Sequence, residues 1–162
     1  MRLPIRPAAD RDADAVVDLW TEAYVTLGVG GRAAPYSKAD FAHSMRNGEV
    51  SVVDGPDGIA GVVALLPPGA PGQAVGEPGE AELSRLAVSA KARRMGIGRA
   101  LTRFCEKRAR VAGWEGIVLW SRPAQIEAHR LYESLGYLRV PERDSVDETG
   151  QSRLVFRLEL EP

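Results

Sequence analysis

The stretch RRMGIGRALTRF, Arg93 to Phe104, follows the apolar-leaning run AELSRLAV, Ala81 to Val88, and its two glycines open a segment of helical spacing. Gly96 and Gly98 let the backbone approach a ligand closely and take dihedrals that other residues resist. The first amides of a helix have no internal acceptor, so together with the positive dipole end they form an anion site. Arg93, Arg94 and Arg99 add positive charge beside it. Two phosphate motifs fail here. The triphosphate loop needs GxxxxGK[ST], which the turn lacks, and the dinucleotide pattern GxGxxG meets Leu101 in the third glycine position, with Ala100 one residue early.

Downstream, Ile97, Leu101, Phe104, Cys105, Ala109 and Ala112 recur as one apolar stripe, which predicts a helix from Gly96 to about Ala112. Ile117–Trp120 reads as a short apolar strand. A helix from about Gln125 to Leu135 ends at Gly136, and Tyr137–Val140 and Leu154–Leu160 read as the last strands, separated by PERDSVDETGQS. Upstream, Val50–Val53 and Ile59–Leu66 are strands joined by the turn DGPDG, and residues 67–80, PPGAPGQAVGEPGE, fit neither helix nor strand. The prolines of LPIRPA, residues 3–8, limit that stretch to an edge strand. Asp10 or Asp12 can cap a helix carrying Ala13, Val16, Val17, Trp20 and Tyr24, and Ser37 with Asp40 three residues on predicts a second cap. TLGVGGRAAP, residues 26–35, reads as a glycine-rich loop. Strands in an antiparallel set, then alternating with helices, predict an α/β fold with a mixed, mostly antiparallel sheet and helices on both faces.

Size and composition bound the function. One domain spanning 1–162 suits 162 residues with 44% hydrophobic and 27% charged content. A net charge of -1 gives no general attraction to nucleic acid. No run reaches the roughly 20 apolar residues of a membrane helix, and MRLPIRPAADRDAD has no secretory apolar core, so a cytoplasmic location is expected. The single cysteine, Cys105, lies on the core stripe, and His43 and His129 are too few and separated for a metal site.

RRMGIG fits the (Arg/Gln)-x-x-Gly-x-(Gly/Ala) signature of the GNAT family of N-acetyltransferases, and the chain resembles that family in further segments. ELSRLAV is similar to its signature strand, EAHRLYESLGY to its Leu-Tyr-Glu-x-x-Gly-(Phe/Tyr) helix end, and IRPA with an acidic helix start to its opening. The resemblance implies the acyl-CoA N-acyltransferase fold, with the sheet splayed at the signature strand. It implies acetyl-CoA as acetyl donor, its pyrophosphate on backbone amides from Arg94 through Arg99 and its pantetheine arm paired with main-chain groups of Leu86 and Val88. It further implies Arg93, Gly96 and Gly98 as signature positions, and Gln125 where many members carry asparagine.

Acetyl transfer to an amine needs a base, because a free amine with a pKa of about 10.4 is protonated at neutral pH. Glu82 matches the place where some members carry a catalytic glutamate, with Glu80 as competitor, and a water chain is the alternative. Tyr132 matches the tyrosine that protonates the departing thiolate, while its apolar neighbours Leu131 and Leu135 equally suit a core position. The oxyanion donor would be an amide of Leu86 or Val88. Trp20, Tyr24, Tyr36 and Phe41 offer apolar walls for an acceptor, and Glu22 or Asp40 a countercharge for a cationic amine, while each taken alone suits a core or surface position better. A small-molecule amine is expected over a protein amine, with hydroxyl acceptors and a non-catalytic acyl-CoA sensor as rival readings. An exposed edge over Leu154–Leu160 would offer a homodimer contact.

Overall fold

The computed structural model describes residues 3–26 and 34–161, so most of the loop expected over residues 26–35, with its glycines 28, 30 and 31, lies outside the described residues. The proline-flanked start forms β1 (Ile5–Pro7), an edge strand antiparallel to β2 (Glu49–Gly55). β2 turns at Pro56-Asp57 into β3 (Gly58–Leu66), with Gly58 at φ +114° where the turn requires a positive value. α1 (Ala13–Thr21) is not capped forward as expected. Asp12 instead accepts the Ala9 amide at 2.7 Å and a two-pronged Arg6 contact at 2.8 and 2.9 Å, which ties the helix start back to β1. α2 (Lys38–Asn47) carries the reciprocal cap read from the sequence: Ser37 Oγ accepts the Asp40 amide, and the Asp40 carboxylate accepts the Ser37 amide at 2.8 Å.

β4 (Glu80–Val88), α3 (Ile97–Ala112), β5 (Gly116–Ser121) and α4 (Ile126–Ser134) follow in the expected order, and Gly136 stops α4 at φ +94°. β6 (Leu138–Arg139), β7 (Ser145–Val146) and β8 (Ser152–Glu159) complete the sheet, in spatial order β1-β2-β3-β4-β5-β8-β6 with β7 also on β8. All pairs are antiparallel except β4 with β5. The expected exposed edge at Leu154–Leu160 is corrected here. β8 pairs with β5 along the whole of Gly116–Ser121 and with β6 and β7 on its other side, so it is interior. Two short returning strands from the polar 141–152 segment and its approach cover what sequence order alone left open.

α1 and α2 cover one face, where Val16, Leu19, Trp20 and Phe41 meet Val50, Val52, Val62 and Ala64. α3 and α4 cover the other, where Ile97, Leu101, Cys105, Tyr132 and Leu135 meet Val53, Val63, Leu65, Leu83 and Ile117. Trp20 and Phe41 are therefore core rather than acceptor walls, since a large apolar side chain gains most when fully removed from water. On α3, Phe104 is half-buried and Ala112 exposed, while Thr102 and Glu106 are buried. Both buried polar groups are satisfied: Thr102 Oγ1 donates to the Gly98 carbonyl at 2.8 Å, and Glu106 accepts from Arg103 at 2.8 Å and from the Tyr137 hydroxyl at 3.3 Å.

Candidate active site

β4 and β5 start as a parallel ladder, Glu80 opposite Gly116, Ala81 opposite Ile117 and Glu82 opposite Val118, and there the pairing ends. Both strands continue, β4 to Val88 and β5 to Ser121, so their facing edges diverge and keep unpaired backbone groups. β4 also bulges. Val62 faces Ala87 and Ala64 faces Ser84, so Arg85 and Leu86 oppose Val63 alone, and Arg85 takes φ +52°. The bulge is held from the α1 side: Trp20 Nε1 donates to the Arg85 carbonyl at 2.9 Å, and the Tyr24 hydroxyl donates to the Leu86 carbonyl. The Arg85 guanidinium lies 5.1 Å from the Trp20 ring centre and donates to Ser44 Oγ at 2.9 Å, locking the bulge to α2.

The opening leads into a cleft of about 1310 Å³, larger than the roughly 300–1,000 Å³ of an ordinary single-ligand pocket, so it has room for two reactants. Glu82, Leu86, Val88, Arg93, Arg94, Gly96, Gly98, Arg99, Gln125 and Tyr132 all line it. Strand alternation divides them. Leu83, Ile117 and Leu119 point to the α3–α4 face, which Tyr132 shares, so Glu80, Glu82 and Trp120 belong to the opposite face. Glu82 and Tyr132 therefore come to one cleft only because the sheet is open between them.

At the glycine turn, Arg94 and Gly96 take φ +67° and +76°, and α3 begins. The Ala100 amide finds the Gly96 carbonyl at 2.9 Å, which leaves the amides of Ile97, Gly98 and Arg99 without an acceptor inside the helix. Gly98 sits where a Cβ would stand 3.3 Å from Leu131 and 3.8 Å from Val88, so its missing side chain lets α3 close on α4 and β4. The arginines differ in use. Arg93 reaches Glu127 at 3.6 Å, Arg99 donates to Ser134 Oγ at 3.1 Å, and Arg94 is exposed. The first two thus join the turn to α4. Gln125 is partly spoken for, because its Oε1 accepts from Ser121 Oγ at 2.9 Å and from the Arg122 amide at 2.7 Å.

Glu82 is buried, and its Oε1 accepts the amides of Ala74, Val75 and Gly76 at 3.0, 2.8 and 3.1 Å. Oε2 shares only the Ala74 donor, at 3.0 Å, and keeps acceptor capacity. Burial pushes the carboxyl above its ordinary value, against the pull of those amides and of the Arg153 charge. Glu80 is different. Burial opposes its charge, yet hydrogen bonds from Arg143 and Arg157 hold it at about 2, a structural acid already fully paired. Tyr132 is buried among Tyr137 and Phe156, ring centres 5.8 and 6.0 Å away, and burial drives its phenol above the ordinary value, which keeps it protonated. Cys105 is pushed by burial up to about 12 and is inert at neutral pH.

Of the acceptor-side residues, Tyr24 and Tyr36 line the cleft, while Asp40 caps α2 near Arg85. His129 is half-buried, its Nε2 3.0 Å from the Arg122 carbonyl. Sequence reasoning missed the Arg85 bulge and Arg153, which lines the cleft beside Trp120. A signal for Arg153 existed in the alternation of RLVFRLEL, where it shares a face with the buried Val155. Among the described residues no cluster of His, Cys, Asp and Glu could hold a metal ion, and no helix is long and apolar enough to cross a membrane.

The sequence profile of the acetyltransferase (GNAT) family matches residues 13–137. The chain is 36% identical over 72 residues to the N-acetylaspartate synthetase of Danio rerio, covering 44% of this chain and 26% of that protein. It is 35% identical over 88 residues to the human N-acetylaspartate synthetase, covering 54% and 26%. The chain thus spans about a quarter of the curated relatives it matches. Among solved structures, the ribosomal-protein-alanine N-acetyltransferase of Brucella melitensis superposes with a TM-score of 0.79 at 20% identity, covering 98% of this chain and 100% of that one. The yncA protein of Salmonella typhimurium, solved with its cofactor acetyl-CoA, gives a TM-score of 0.74 at 18% identity over 100% and 96% of the two chains. At such identities these two likenesses concern the fold.

Proposed function

We propose, since this chain belongs to the acetyltransferase (GNAT) family, that it moves the acetyl group of acetyl-CoA directly to a primary amine on a small molecule. The observation that carries the reading is the sheet opening after Glu82 and Val118, which brings a buried carboxyl and a buried phenol from opposite faces to one cleft. Acetyl-CoA, the donor of this family, supplies a thioester carbon for the amine to attack and a thiolate to leave. The residues present fit it. β4 beyond Glu82 has no β5 partner at Leu86 and Val88, with the Leu86 carbonyl held by Tyr24, and along the Arg94–Arg99 turn the amides of Ile97, Gly98 and Arg99 have no acceptor inside the helix.

In this reading Glu82 takes a proton from the acceptor ammonium at Oε2, directly or through water, and the freed nitrogen lone pair attacks. Amides of the bulged strand stabilise the developing oxyanion. As the C–S bond breaks, Tyr132 gives its proton to the departing sulfur, the second proton of the attacking nitrogen leaves to water as the amide forms, and the phenolate recovers a proton from solvent. Gly72 and Ala74 of the loop before β4 wall the cleft, and a loop wall of this kind supports a small amine over a folded protein. The matched relatives' name points the same way, because N-acetylaspartate is an acetylated amino acid.

The test follows amine-dependent thiol release from acetyl-CoA across a panel of amines, beside calorimetric binding of acetyl-CoA. Expected are saturable binding, turnover with some small amine, and a loss of about 10²-fold in kcat for Tyr132→Phe with acetyl-CoA binding retained. Binding without turnover on any amine would sink the enzyme reading in favour of a sensor.

A further inference from the structure

Among the described residues, the arginines on the acceptor side of the cleft are engaged with one exception. Arg122 donates to Asp147 Oδ2 at 2.7 Å and to the Ser152 carbonyl at 3.2 Å. Arg85 is fixed by Ser44 and the Asp40 carbonyl. Arg153, projecting from β8, has a buried Nε with no hydrogen-bond partner among the described residues. Its guanidinium lies 5.3 Å from the ring centre of Trp120, which itself lines the cleft. The nearby acids do not answer it. Asp147 spends Oδ1 on the Thr149 amide and hydroxyl and on the Gln151 amide, and Oδ2 on Arg122. Glu82 turns its Oε1 to the 74–76 amides and makes no ion pair with Arg153 within 4 Å, although it feels that charge.

A buried guanidinium N–H without an acceptor carries the full cost of its lost hydration, so such groups are rare unless a ligand completes them. The Arg153 guanidinium sits over the Trp120 indole, and its fork offers the two parallel N–H···O bonds that a carboxylate takes. We propose that Arg153 is the acceptor-reading residue of this site and that the acceptor is an amine carrying a carboxylate, held by the Nε and Nη donors with the Trp120 ring beneath. The proposal rests on the acetyltransferase reading and narrows it. The amine then lies toward Glu82, the carboxylate toward β8, and a purely cationic amine such as agmatine meets an uncompensated positive charge.

The test compares aspartate and glutamate with asparagine amide and agmatine in wild type, Arg153→Gln and Arg153→Lys. Wild type is expected to favour the carboxylated amines by at least about 10-fold in kcat/KM, through KM. Arg153→Gln is expected to bring that ratio close to one, through a raised KM for the carboxylated amines, and Arg153→Lys to recover part of it. Calorimetric binding of N-acetylaspartate against its diamide, with coenzyme A present, reads the same preference without turnover. Preference for neutral or cationic amines, or an unchanged ratio in Arg153→Gln, overturns the proposal. So does an equal loss on all amines with a shifted acid limb, which would assign Arg153 to tuning Glu82. Failure of every amine to turn over, with carboxylate-dependent product binding intact, would fault the transfer chemistry and leave the anion site standing.

Discussion

Glu82 does two jobs with two oxygens. Oε1 gathers three successive amides and so fixes the loop before β4, while Oε2 keeps room for a proton. Burial raises its pKa above the ordinary 4.5, so the base form is lost at a higher pH than for an exposed carboxylate. kcat/KM should therefore fall as pH drops through a value above 4.5, and Glu82→Gln should remove that limb and cost about 10²- to 10⁴-fold. The glutamine oxygen can still accept the three amides, so the fold should persist. Linkage gives an independent check. The folded state favours protonated Glu82, so this group's contribution to stability declines as pH rises from the ordinary value through the raised one, and Glu82→Gln should abolish that decline. A pH–rate profile and urea unfolding at several pH values measure both. Unchanged activity in Glu82→Gln would hand the base role to water.

At the scale of elements, the glycine turn works through packing as much as through its amides. Gly98 stands between Leu131 of α4 and Val88 of β4, and a Cβ there would already lie 3.3 Å from Leu131, tighter than an ordinary contact. Gly98→Val should push α3 away from α4, cost about 1–3 kcal/mol by overpacking, and weaken acetyl-CoA binding in calorimetry at least 10-fold. Unaltered affinity in a folded variant would remove the turn from the donor site. These elements were legible because their signals are local: the period of Ile97, Leu101 and Cys105, the Ser37–Asp40 cap, and Gly136 after the last turn of α4. The β4 bulge was not. It depends on Trp20 and Tyr24 reaching the Arg85 and Leu86 carbonyls across more than sixty residues of chain, and no local pattern encodes that. Trp20 and Phe41 fit both a core and an acceptor wall in the sequence for a related reason, since an aromatic stripe looks alike whether it faces a core or a cleft.

Across the whole molecule, a sheet that must stay open at one end needs a firm root at the other. The strand order placing β8 between β5 and β6 supplies it, and long-range pairing of that kind is invisible to periodicity. At the root, Glu80 on β4 accepts from Arg157 on β8 at 2.5 Å and from Arg143 at 2.7 and 2.9 Å, crossing over the β5 strand between them. Glu80 is 4% exposed, and removing one partner of a buried ion pair strands the others, so Glu80→Ala should cost about 3 kcal/mol at pH 7. Its carboxyl is held at about 2 against an ordinary 4.5, a folded value below the unfolded one. The charge-dependent stabilisation is therefore full above 4.5 and lost as pH falls toward 2. Urea unfolding of wild type and Glu80→Gln should accordingly show a gap at neutral pH that closes over that window. A gap independent of pH would mean that the hydrogen bonds, and not the charge, hold the root of the cleft together.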